Sequence, residues 1–265
     1  MTSLSTLTPA DVKTLALPSE ITKVLYQVMN IFHRKARQRN LPYWAIGGTQ
    51  LGTTRHGGII PWDDDLDVAI FEEDSDLVTQ ILDEIYTENH GLYDYSVHDF
   101  RSSSRGWKVF TADKPFPALL DIFIWEKVVV DGVQLARVKN YRPARPTIFP
   151  ANDVLRVKDL YDTKGKIPER RFGDIMINSI ANPIPYLNVK YPNWSTVVHV
   201  FNHTTHCKGK SKPMFRYAVG AFASERELKA KKAAAAKKAR LARVARVTKT
   251  LLALKKKVQN KKSSE

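Results

Sequence analysis

Four aspartates fall within five residues, Asp63, Asp64, Asp65 and Asp67, and they lead into the apolar run Val68-Ala69-Ile70-Phe71. In an extended strand, residues two apart point the same way, roughly 7 Å apart along the chain. Asp65 and Asp67 are therefore expected to share one face of a strand over 65–71, with Leu66, Val68 and Ile70 packed behind them. Two carboxylates that close repel each other, and one is driven toward protonation unless a cation compensates. Hard oxygen ligands on a rigid strand, with room left for phosphate oxygens, suit Mg²⁺ or Mn²⁺. An acidic surface turn explains many isolated D-x-D pairs. It explains less well a run this dense against an apolar strand. By the same alternation Asp63 shares the catalytic face and Asp64 does not, so Asp63 is a candidate for orienting ligands.

Gly47-Gly48 lies 17 residues before Asp65, after a short apolar run and before a segment that reads as a helix. Glycines there let phosphate approach the backbone, and the N–H groups of a helix end can bind it. A tight turn explains such a pair when it stands alone. Arg55, about two turns further on, is a candidate phosphate or carboxylate partner, with a surface arginine as the alternative. A third carboxylate is needed if two metals, or one metal and a base, are to act. Asp121 in Leu119-Leu120-Asp121-Ile122-Phe123-Ile124-Trp125 is the candidate. An ionised aspartate in so apolar a strand is costly unless paired or metal-bound, and hydrogen bonding to backbone is the structural alternative. Trp62 is expected to pack rather than to stack on a base.

These side chains need elements to position them. Ile21, Val24, Leu25, Val28, Met29 and Phe32 recur at helical spacing. They predict a helix from Ser19, as its cap, to about Arg39. Tyr43-Trp44-Ala45-Ile46 reads as a strand, Thr49 to Arg55 as a short helix, and Asp74 or Ser75 to Asn89 as a helix with Leu77, Val78, Ile81, Leu82 and Ile85 inward. Strands are predicted over 92–98, 107–111 and 119–125, and a hairpin over 128–135 with Asp131-Gly132 at its turn. From 141 to 193 prolines are frequent, and short helices and loops are expected. The motif His199-x₃-His203-x₂-His206-Cys207 has some metal-like spacing but lacks the glutamate of a zinc-protease helix, so solvated histidines are expected there.

Composition bounds the rest. The chain has 265 residues, 43% of them hydrophobic, enough for a real core. A single cysteine excludes a disulfide-stapled scaffold. The formal charge of +15 is unevenly spread, because residues 225–265 hold 15 basic and 3 acidic side chains and the remainder is close to neutral. That segment, rich in Ala, Lys, Arg and Leu, predicts a helical tail. It is a candidate for contact with an anionic membrane or, through phosphates alone, with nucleic acid. The expected organisation is a lead segment over 1–18, a catalytic domain over 19–222 and a basic tail over 223–265. With no apolar signal or membrane-spanning run, a cytoplasmic protein is expected, peripheral to a membrane if the tail binds one.

The order of strand, Gly-Gly, helix, D-x-D strand and a later strand with a third Asp resembles the nucleotidyltransferase superfamily with its polymerase-β-like palm. The segment I-G-G-T-Q-L-G-T-T-R-H-G-G-I-I-P-W-D-D-D-L-D-V, Ile46 to Val68, resembles more narrowly the LicD family of phosphocholine transferases, fukutin and fukutin-related protein. The L-D-I-F run at Asp121 resembles that family's downstream motif, as more loosely do Phe172 to Pro185 and the stretch from Tyr186 to Trp194. The resemblance spans about residues 20–200. It implies an α+β fold, with a mixed sheet and flanking helices, followed by the basic helical C-terminal tail. It also implies transfer of a phospho-alcohol from a CDP-linked donor to a glycan acceptor. Asp65, Asp67 and Asp121 would then hold Mg²⁺ or Mn²⁺ and act in catalysis, while Gly47, Gly48, Arg55 and Asp63 bind substrate. Gln50 and Thr53-Thr54 stand where more apolar residues are expected. Two rivals are a nucleotidyltransferase that moves NMP to a nucleic acid or small molecule, and a non-catalytic nucleic-acid binder acting through the tail.

Overall fold

Apolar residues spaced for one helical face do form a helix. In the computed structural model, which describes residues 16–100, 104–112, 119–139, 153–199 and 216–218, α1 spans Ser19–Gln38 and buries Leu25, Val28, Met29 and Phe32. Ser19 is not its cap. Pro18, extended by its ring-fixed φ, turns the chain into the helix, and its carbonyl accepts from Thr22 N at 3.1 Å. Ile21, expected on the packed face, is exposed in the overhanging first turn. At the other end Lys35 reaches both Glu84 and Glu88, and Arg39 reaches Glu84 and Gln80. All of these partners lie on α3 (Ser75–Glu88), so the basic end of α1 fastens it to that helix.

Both helices cover one face of a mixed sheet. Its strands are β1 (Tyr43–Ala45), β2 (Asp67–Phe71), β3 (Tyr93–Phe100), β4 (Ser104–Thr111) and β5 (Leu120–Val130), in the order β1-β2-β5-β4-β3. β2 and β5 run parallel, with Asp67 beside Asp121, while β1–β2, β4–β5 and β3–β4 pair antiparallel. The latter half of β5 leaves β4 and pairs with β6 (Val133–Val138), which in turn pairs with β7 (Val154–Arg156). Asp131 and Gly132 close the β5–β6 hairpin with φ of 49° and 74°, the two left-handed residues that an Asp-Gly turn supplies.

Period-two alternation divides these strands between two layers. Tyr43, Ala45, Val68, Ile70, Leu120, Ile122 and Ile124 join the helix-side core with Phe32, Val78, Ile81 and Ile85. The alternate residues, Trp44, Phe71 and Trp125, form an aromatic cluster on the opposite face, with Trp44 4.8 Å from Phe71 and 5.7 Å from Trp125 between ring centres. Residues 154–190 supply α4 (Val157–Leu160), the hairpin β8 (Glu169–Phe172) and β9 (Ile175–Asn178), and α5 (Ile184–Lys190). The hairpin replaces the loops expected there. Its signal is the short Gly173-Asp174 turn between two brief, largely non-alternating runs, and Gly173 adopts the left-handed φ of 64°. Two short strands, β10 (Val197–His199) and β11 (Arg216–Ala218), pair antiparallel. His199 lies on β10, whereas His203, His206, Cys207 and the expected tail helix lie outside the described residues. Among the described residues no helix is long and apolar enough to cross a membrane.

Candidate active site

Strand β2 begins at Asp67 rather than at the expected Asp65. The ladder to the neighbouring strand nevertheless continues past that end. Leu66 N donates to Leu119 O at 3.1 Å, and Asp121 N donates to Leu66 O at 2.7 Å. These bonds hold the chain before Asp67 in place against β5. As a result Asp65, Asp67 and Asp121 each bring a carboxylate oxygen within 4.8 Å of the others. Three hard oxygen donors converging from rigid backbone are a set that could hold a metal ion. Asp121 is buried, and Asp65 and Asp67 are half-buried.

Helix α2 (Gly47–Arg55) aims its first turn at this cluster and starts two residues earlier than expected, at the glycine pair itself. It is tied to β2 through both backbone groups of Asp67. Ile46 N donates to Asp67 O at 3.1 Å, and Asp67 N donates to the buried Thr49 hydroxyl at 2.7 Å. The reason for two glycines is then visible. Gly47 has a left-handed φ of 53°, and a Cβ there would stand 2.5 Å from Asp67 Oδ2. A Cβ on Gly48 would collide with Asp63 Oδ2. The room at both positions is taken by the aspartates. The Gly47 N–H, expected to face phosphate, donates to the Tyr186 hydroxyl at 2.9 Å.

Asp63 joins the same cluster. Burial, and then the charges of Asp65, Asp67 and Asp64, push its carboxyl well above the usual range, and Arg55 pulls it back. Asp64 and Trp62 are buried, Trp62 at 2% exposure, in keeping with a packing role for the tryptophan. Arg55 closes the far end of α2, where its Nη1 donates to Trp194 O at 3.0 Å. Its guanidinium thus serves both the segment after α5 and the field at Asp63.

Sequence reasoning missed several residues. Lys108, opposite Asp121 in the β4–β5 register, places Nζ 2.5 Å from Asp121 Oδ2. Its sequence signal was a lone lysine between Trp107 and Val109, both of which are core residues. Tyr186 packs on Trp125, with ring centres 6.5 Å apart. Its phenol is pushed well up, chiefly by burial. Burial also raises the Tyr191 phenol well above its ordinary value, with the charges of Asp67, Asp63, Asp153 and Asp65 adding to the effect. Gln50 is also explained. Fully buried, its Oε1 accepts from Ser179 Oγ and Ile180 N, each at 3.0 Å, and its Nε2 donates to Thr54 Oγ1 at 3.0 Å. It fastens the 179–180 segment to α2, which is why a polar residue stands where an apolar one was expected.

Residues 40–161, which include all three aspartates of the cluster, match the family described as LicD/FKTN/FKRP, nucleotidyltransferase domain. The chain is 30% identical over 202 residues to an uncharacterized protein of Rickettsia typhi, covering 76% of this chain and 56% of that protein. The chain thus spans little more than half the length of this relative. It is similar to the lipopolysaccharide cholinephosphotransferase LicD of Haemophilus influenzae, 28% identical over 116 residues, 40% of this chain and 43% of that one. A 32-residue stretch is 59% identical to the human ribitol 5-phosphate transferase FKRP, 12% of this chain and 6% of that protein.

Proposed function

The chain belongs to the LicD family, and we propose that it is a metal-dependent phosphotransferase built on a polymerase-β-like palm. It would move a phospho-alcohol (choline, ribitol, glycerol or a sugar phosphate) from a CDP-activated donor to a glycan hydroxyl. The acceptor oxygen bonds to the phosphorus bearing the alcohol, and the P–O bond to CMP breaks. The hydroxyl proton passes to a neighbouring carboxylate, for which Asp121 is the candidate. The observation that carries this reading is the convergence of Asp65, Asp67 and Asp121 in front of the first turn of α2.

Phosphoryl transfer asks mainly for positioning and charge neutralisation. The donor set fits Mg²⁺ or Mn²⁺, held by Asp65, Asp67 and Asp121. When bound, the ion would neutralise the pyrophosphate and the developing charge on the attacking oxygen. The chain's own residues do the rest. Thr49 and the glycine pair set the aspartates at the helix end, whose remaining N–H groups and dipole favour an anion. Tyr191 offers a neutral phenol as a hydrogen-bond donor, and Arg55 offers a fixed positive charge at the far end of α2.

A panel of CDP-choline, CDP-ribitol and CDP-glycerol, incubated with the protein, Mg²⁺ and a glycan acceptor, tests the proposal. CMP release with at least one donor, lost on chelation, is expected. Transfer of NMP from labelled CTP, with no CMP released from any CDP-alcohol, would favour the nucleotidyltransferase reading instead.

A further inference from the structure

One buried phenol beside the carboxylates has used its oxygen and kept its proton. Tyr186 stands on α5, 2% exposed, with its ring 6.5 Å from that of Trp125 between centres. Its hydroxyl oxygen accepts the Gly47 N–H at 2.9 Å. A phenol that accepts in this way still has its own O–H to donate. Among the described residues no carbonyl, carboxylate or hydroxyl takes that proton. A buried donor without an acceptor is costly. Capping the Gly47 amide explains the oxygen of Tyr186 and leaves the proton unexplained.

The hydroxyl also lies beside the place where an anion is expected. Gly47 touches both partners: its amide reaches the phenol, and a Cβ on it would stand 2.5 Å from Asp67 Oδ2. Burial, then the Asp153 charge, Tyr191 and Asp67, hold the proton on this phenol. Asp153 is itself engaged by Lys190, one turn further along α5, and that pair fixes the helix on which Tyr186 stands.

We infer that Tyr186 is a substrate-binding residue: held in place by the Gly47 amide, its hydroxyl donates to a non-bridging oxygen of the nucleoside diphosphate received at the first turn of α2. The inference rests on the CDP-linked donor proposed above. The phenol stands in for an amide that is already spent. A tyrosine that only capped Gly47 would act through its oxygen alone, and its loss would return the amide to the pocket.

Calorimetric titration of the full chain with CDP, CDP-choline, CDP-ribitol and CDP-glycerol, each with Mg²⁺ and without acceptor, tests this apart from turnover. The tightest ligand of the wild-type protein then serves as the probe for two variants. Tyr186→Phe is expected to weaken its binding roughly ten- to hundredfold, as for a hydrogen bond to a charged group. Equal or tighter binding by folded Tyr186→Phe would overturn the inference and leave the CDP-donor reading standing. Tyr186→3,5-difluorotyrosine keeps the hydroxyl, as a stronger donor and a weaker acceptor, and is expected to bind the probe more tightly than the wild type. Unchanged or weaker binding there would show that only the oxygen matters and would overturn the inference, even if Tyr186→Phe does not fold. Wild-type protein that binds none of the four ligands would overturn both.

Discussion

Strands β2 and β5 present two faces built from alternate residues of the same few turns of chain. Val68, Ile70, Ile122 and Ile124 face the helices and are closed off from water by α1 and α3. Asp67 and Asp121 lie one residue out of step with them, on the face that carries Phe71, Trp125 and Trp44. One face is uniform and apolar, and it gains free energy from every contact. The other concentrates like charges at one end and leaves aromatic rings to hold the rest. The difference teaches that the carboxylates cost stability which the apolar face of the same strands offsets. Rigidity at the site is borrowed from packing one residue away.

Substitutions should separate the two faces, and the largest effect is expected at the carboxylates. Asp65→Ala or Asp67→Ala should lower divalent-dependent CMP release on the order of 10³-fold, with the thermal midpoint unchanged or raised as repulsion is relieved. Full activity in both variants would break the contrast and remove the catalytic assignment. On the other face, Ile122→Ala should cost about 2–5 kcal/mol of stability in denaturant unfolding. The folded fraction should keep its activity, and a loss matching that of the aspartate variants would show that the faces are not separable. The smallest effect is a pH dependence near the end of α2. Burial, then Arg55, pushes the His56 imidazole down to about 3 from an ordinary 6.5. Below about 6.5 the unfolded chain takes up a proton that the folded one refuses. This contribution is therefore present above 6.5 and is lost as pH falls toward about 3. Unfolding midpoints at pH 7.5 and pH 5 should differ, and His56→Gln should narrow the gap; an unchanged gap would place the proton uptake elsewhere.

Much of this contrast was legible in the sequence, because it is local. The alternation through Asp67 to Phe71, the helical stripe of α3 and the Asp131-Gly132 turn are short-range patterns, and each appears where the residues predict. Asp65 and Asp67 stand out because two carboxylates on one strand face demand a cation, and Asp121 because an ionised aspartate in an apolar strand demands a partner. What escaped was long-range. No local pattern says that Lys108 will face Asp121, since that pairing depends on the β4–β5 register. Nor does any say that Tyr186 will take the Gly47 amide. The glycine pair stands out in the sequence as a place for phosphate, and the structure adds that Asp67 and Asp63 are its near neighbours, with Gly47 at a left-handed φ. The expected start of β2 at Asp65 lies two residues too early, because Leu66 keeps ladder bonds to the neighbouring strand outside the strand proper.

Four bonds join α2 to residues far along the chain: Ser179 Oγ and Ile180 N donate to Gln50 Oε1, Gly47 N donates to the Tyr186 hydroxyl, and Arg55 donates to Trp194 O, spanning 129, 130, 139 and 139 residues. On a ribosome the aspartates and both central strands emerge well before the segment that completes them. At typical synthesis rates the delay is on the order of ten seconds. During that interval the nascent chain would carry an acidic, half-built sheet whose aromatic face still awaits its cover. The last quarter of the described chain thus determines when the fold becomes safe from wrong partners, as well as how the pocket is shaped.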